Sequence, residues 1–180
     1  MRRILVPAAV ALGALAVAAC EPTAPASDAA PKPPVAPVTE ITPTSAADIP
    51  PEVAAAVQAA RPGMVISEAE LKEREGRRYY DVEGTLNGEE IELDMLETPQ
   101  GWTVVEIQRD LDWSAVPASV HAAAETARAG FVPVRIIEST QAADGAVIYE
   151  LFAEGQPATP SLEVRVKDGK TDVLKEVWPH

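Results

Sequence analysis

The sequence predicts an α+β fold of two tandem units, each an α-helix packed on a four-stranded antiparallel meander sheet. Three observations predict it. Segments recur at a near-constant distance: Ile49-Pro50-Pro51-Glu52-Val53 is echoed by Val116-Pro117-Ala118-Ser119-Val120, and Ile91-Glu92-Leu93 by Leu162-Glu163-Val164. A long fixed period sets the unit of a fold, so it takes precedence over local signals. Each copy opens with apolar residues at helical spacing and continues in alternating runs. Those runs are separated by dipeptides that close tight hairpins, above all Asn87-Gly88.

The elements are taken in chain order. Residues 1–19 form a signal peptide: the basic Arg2-Arg3, an Ala/Leu/Val run from Ile4 to Val17, then small residues. Val17-Ala18-Ala19-Cys20 resembles the lipobox of bacterial lipoproteins. That resemblance implies cleavage after Ala19 and lipid on Cys20, which would anchor the chain in the cell envelope, facing the periplasm or the exterior. Two or more acyl chains hold a protein durably where one does not. Residues 20–47 come next as a Pro/Ala-rich tether without a hydrophobic period, a composition that does not offset the entropy of ordering. With Cys20 acylated no thiol is left, so packing alone must stabilise the folded region.

The first unit is expected over 48–113. Val53, Val57 and Ala60 share a helix face, entered through Pro50-Pro51 and stopped by Pro62-Gly63. Strands are expected near 64–74, 78–86, 89–97 and 102–109. The second unit is expected over 114–180, with Ser114 as N-cap of a helix carrying Val116, Val120, Ala123 and Ala127. Its strands are expected near 132–141, 146–154, 161–167 and 170–177, with turns at Asp144-Gly145 and Asp168-Gly169.

The pattern Ile49-Pro50, then Arg61-Pro62-Gly63-Met64-Val65-Ile66, then Tyr79-Tyr80-Asp81-Val82 and Glu90-Ile91-Glu92-Leu93-Asp94 resembles the PepSY-like domain. The likeness covers roughly 48–110 well and 114–178 loosely, since Gly130-Phe131-Val132-Pro133 replaces the Pro-Gly turn. It implies tandem units with the architecture of the beta-lactamase inhibitory protein, and an extracytoplasmic, non-catalytic module that binds or restrains hydrolases.

Charge narrows the partners. Arg2 and Arg3 leave with the signal, so 13 of the 15 basic residues would remain against 28 acidic ones, a net charge of −15. Such a field repels phosphate backbones, so no nucleic-acid partner is expected. The only histidines are His121, expected to pair with Glu125, and the terminal His180. No nucleophile–base pairing is legible, so no catalytic residue, metal ligand or cofactor is expected and the chain is not read as an enzyme. Alternation along the strands turns Tyr80, Val82, Leu93 and Met95 toward the helix. It leaves Tyr79, Asp81, Glu83 and Trp102 outward in the first unit, and Ile148 and Phe152 in the second. Aromatic and apolar groups ringed by charge suit a protein interface. The reading is therefore a lipid-anchored binding module that docks, or inhibits, an envelope protein such as a hydrolase. An acidic sensor of small ligands or divalent cations, and a purely structural envelope lipoprotein, are the alternatives.

Overall fold

The computed structural model describes residues 40–155, 159–176 and 178. The signal peptide, Cys20 and most of the tether lie outside them. Two helices and nine strands run in the order β1 (Glu40–Ser45), α1 (Pro51–Ala60), β2 (Val65–Arg74), β3 (Arg77–Leu86), β4 (Glu89–Thr98) and β5 (Gly101–Asp110). A 3-10 turn (Trp113–Ala115) leads into α2 (Ala118–Ala127), β6 (Arg135–Gln141), β7 (Val147–Phe152), β8 (Leu162–Lys167) and β9 (Lys170–Val173).

The two expected units, each a helix on a four-stranded meander, do not form. All nine strands join one antiparallel sheet in sequence order, β1 to β9. The expectation fails at β5, which the sequence reading treats as the edge of a unit. Its free backbone groups pair instead with β6, from Glu106↔Gln141 to Asp110↔Ile137. Buried backbone donors and acceptors demand partners, and an unpaired edge is a liability that this ladder removes. The tether boundary also moves. Residues 40–45, expected to be unstructured, form β1 and cover the outer edge of β2, from Glu40↔Glu73 to Ser45↔Glu68. Ile41, Thr42 and Thr44 favour strand, and Pro43 is tolerated because β1 is itself an edge.

Both helices are entered through proline, which is preset for a first turn. In α1 Val53 and Val57 are fully buried, and the Gln58 amide closes the C-terminal end by donating to Met64 O at 2.7 Å. In α2 Val120 and Ala124 are the fully buried pair. Ser114 does not cap α2: it sits in the 3-10 turn, and the helix begins only after Pro117. Three hairpins turn on residues with positive φ, Glu75-Gly76, Asn87-Gly88 and Asp168-Gly169, as primed turns require.

The register assigns the faces. Val82, Leu93, Ile107, Thr140, Val147 and Val166 stand opposite one another across β3 to β8 and therefore point to one side. Both helices cover that side. Under α1 lies a core of Val53, Val57, Tyr80, Val82, Leu93 and Met95. Under α2 lies a second, with Val120, Ile136, Tyr149, Leu151 and Val164. The opposite face carries no helix among the described residues.

Candidate functional site: the acidic face of the sheet

On the helix-free face the strand register lines up carboxylates. Glu68, Glu83 and Glu92 stand directly opposite one another across β2, β3 and β4. The adjacent row is Glu70, Asp81, Asp94 and Glu106, across β2 to β5. Side chains opposed in this way lie about 4.5–5.5 Å apart at Cβ, and like charges so placed destabilise a sheet. The face is therefore not built for stability alone.

Some of that charge is met by protein groups. Lys72 of β2 forms an ion pair with Asp81. The Gln108 amide donates to Asp94 Oδ2 and to Glu106 Oε1, each at 3.3 Å. The Ser139 hydroxyl donates to Glu106, and Gln141 donates to Ser139 Oγ at 2.8 Å. The three-glutamate row has fewer such partners. Burial raises the Glu83 carboxyl above its ordinary range, and the charges of Glu92 and Glu68 raise it further. Burial also raises Glu92; Lys72 opposes that shift, while Glu106 and Glu70 add to it. Two hollows lie along these rows. One of about 610 Å³ is lined by Pro43, Ser45, Glu68, Glu70, Lys72 and Asp81. The other, of about 290 Å³, is lined by Glu83, Glu90, Glu92, Gln108, Asp110 and Arg135.

Carboxylate oxygens of Asp81, Glu92 and Asp94 come within 4.8 Å of one another, close enough to share a cation. The Lys72 ammonium already sits on Asp81, and Gln108 already donates to Asp94. A divalent ion would have to displace a positive charge to enter, so we identify none of these residues as a metal ligand.

The expected docking residues separate. Tyr79, Asp81 and Glu83 lie on the acidic face; Tyr79 is half-buried between Lys72 and Leu96. Trp102 does not join them. A β-bulge places Asp94 opposite Glu106 and the next residue, Met95, opposite Val104, so Val105 is an extra residue in β5. One extra residue reverses the alternation, because side chains repeat every second position. Trp102 and Val104 thereby turn to the helix side, where the Trp102 ring meets Tyr80 edge-on at 5.0 Å. Ile148 and Phe152 are on the acidic side of the sheet, as alternation requires, but they are buried rather than exposed. β7 is an interior strand, and Ile148 is flanked by Ser139 of β6 and Arg165 of β8. Neither offers a docking contact. His121 does not pair with Glu125: its Nε2 meets Trp113 O at 3.0 Å and its ring lies on Trp113, while Glu125 accepts from Gly130 N at 2.9 Å.

Sequence reasoning misses the part played by Glu68, Glu70 and Lys72, which look like a solvated strand. A signal is present: the tight Glu75-Gly76 turn fixes the register that sets Lys72 opposite Tyr79 and Glu70 opposite Asp81. It also misses Gln108, Ser139 and Gln141, whose roles depend on the β5–β6 pairing. No family model, curated protein or solved structure matches this chain.

Proposed function

We propose that the chain is a non-catalytic, lipid-anchored binding module of the cell envelope whose helix-free sheet face docks a basic surface of a protein partner. The observation that carries this reading is the pair of opposed carboxylate rows on β2 to β5. Their mutual repulsion costs stability, and cationic groups supplied by a partner would remove that cost while gaining charge-assisted hydrogen bonds. The two hollows along the rows give basic side chains somewhere to enter. The likeness of residues 48–110 to PepSY-like modules supports the same class of function. The Val17–Cys20 segment supports the anchor.

Affinity capture with the tagged, detergent-solubilised chain tests the reading. A partner should be recovered at low salt, released by high salt, and lost from a variant carrying Asp81→Asn, Glu83→Gln and Glu92→Gln. Recovery of the same proteins by that variant would overturn the docking face. The anchor is tested separately by mass spectrometry of the N-terminal peptide. Acyl mass on Cys20 is expected, and Cys20→Ser should free the chain from the membrane fraction.

A further inference from the structure

We propose that the Glu68–Glu83–Glu92 row is a proton-operated release for the docked partner: the face holds a cationic surface at neutral pH and sheds it in mild acid. The inference rests on the docking reading above and adds its regulation.

The geometry begins with the register. Glu83 is the middle member of the row, with Glu68 directly opposite on one side and Glu92 on the other. The Glu68 and Glu83 side chains are within hydrogen-bonding reach. Two ionised carboxylates repel and offer no donor, so a hydrogen bond between them requires one proton. Beyond Glu92 the row continues with Gln108, which is neutral. The surroundings favour the same proton. Glu70 on β2, Asp81 on β3, Glu90 and Asp94 on β4, and Glu106 and Asp110 on β5 bring further negative charge to this face. The facing cations are Lys72, which is held by Asp81, and Arg135, whose Nε donates to Asp110 at 3.1 Å.

A basic partner and a proton therefore compete for the same carboxylates. A docked ammonium or guanidinium keeps the row ionised and raises its tolerance of charge. As pH falls, the row takes up protons at Glu83 and Glu92 before ordinary surface carboxylates do. Each proton removes one contact the partner needs. In the adjacent row Asp81 already holds the Lys72 ammonium, so the loss is confined to one row.

The test uses the full chain and a synthetic pentalysine peptide as probe, at constant ionic strength, by calorimetry at pH 7.5, 6 and 5. Binding is expected to weaken about tenfold or more across that range, the equivalent of losing one charge-assisted contact. Glu83→Gln should bind more weakly at pH 7.5 and show a smaller change with pH. Pentalysine binding that is equally strong at all three values, or a Glu83→Gln variant with the full pH response, would overturn the release and leave docking intact. No pentalysine binding at any pH would overturn both. Denaturant unfolding reads the proton without the peptide: the wild type should be more stable at pH 5 than at pH 7.5, and Glu83→Gln should shrink that difference. An absent difference in the wild type would remove the proton, and the release with it.

Discussion

At the scale of single residues, position on one face or the other decides what a substitution does. Trp102 packs against the first core and touches Tyr80, so Trp102→Ala is expected to cost about 2–4 kcal/mol, on the scale of large-to-small core changes. Tyr79→Ala, on the other face, should cost far less; urea unfolding of both variants checks the contrast. Asp144 is the clearest ionic determinant in the second half of the sheet. It accepts from Lys167 Nζ at 2.6 Å, Ala146 N at 3.0 Å and Arg165 Nη2 at 3.3 Å, which hold its carboxyl at about 2, against an ordinary 3.8. A lowered carboxylate contributes stability that is complete above its unfolded value and is lost as pH falls toward the folded one. Asp144→Asn should therefore flatten the loss of stability between about pH 4 and 2 in an acid-unfolding series, modestly, since the group is a third exposed. Glu83 and Glu92 have the opposite sign. Their folded values are raised, so their contribution is complete below the ordinary 4.5 and is lost as pH rises through the raised values. The two effects run in opposite directions with pH, which melting temperatures of the wild type, Asp144→Asn and Glu83→Gln across pH read directly.

At the scale of elements, irregularities in two strands set the docking face. The register of β2 against β3 shifts between Ile66 and Glu68, and Gly84 lies at that shift. A Cβ on Gly84 would meet Val65 O at 2.3 Å and Met64 Cε at 2.9 Å, so only glycine fits there. Gly84→Ala should lower the melting temperature and, by pushing β2 away from β3, disturb the opposition of Glu68 and Glu83. Circular dichroism melts combined with pentalysine binding would register both effects. The β5 bulge at Val105 has no comparable marker. Nothing in Gly101–Asp110 marks one residue as extra, and the shift shows only in the pairing of β5 with β4. That is why alternation assigns Glu92, Leu93 and Met95 to their faces, while Trp102 and Val104 escape it. The hairpins are legible for a local reason: Glu75-Gly76, Asn87-Gly88 and Asp168-Gly169 occupy backbone conformations that few other residue pairs adopt. β1 is illegible because Glu40–Ser45 is short and broken by Pro43, with no turn dipeptide to tie it to β2, whose open edge gives it a partner.

At the scale of the whole molecule, continuity of the sheet ties the two cores together. Local patterns cannot announce that continuity, since β5–β6 pairing joins strands separated by a helix and leaves no turn dipeptide as a sign. Its consequence is measurable: a fragment ending at residue 113 would expose the β5 backbone along the β6 ladder and lose the Arg109–Glu138 contact at 2.7 Å. Such a fragment is expected to self-associate, which gel filtration over a range of concentrations checks. The placement of β1 has a mechanical consequence as well. A pull on the chain ahead of Glu40 would arrive at one end of an outermost ribbon whose hydrogen bonds to β2 lie across the strand direction. A pull directed away from β2 would rupture them one after another, as a zip opens, instead of sharing the force among them. The packed interior, which starts at Ile49, would feel tension only after this ribbon had peeled, so β1 would serve the fold as a mechanical fuse.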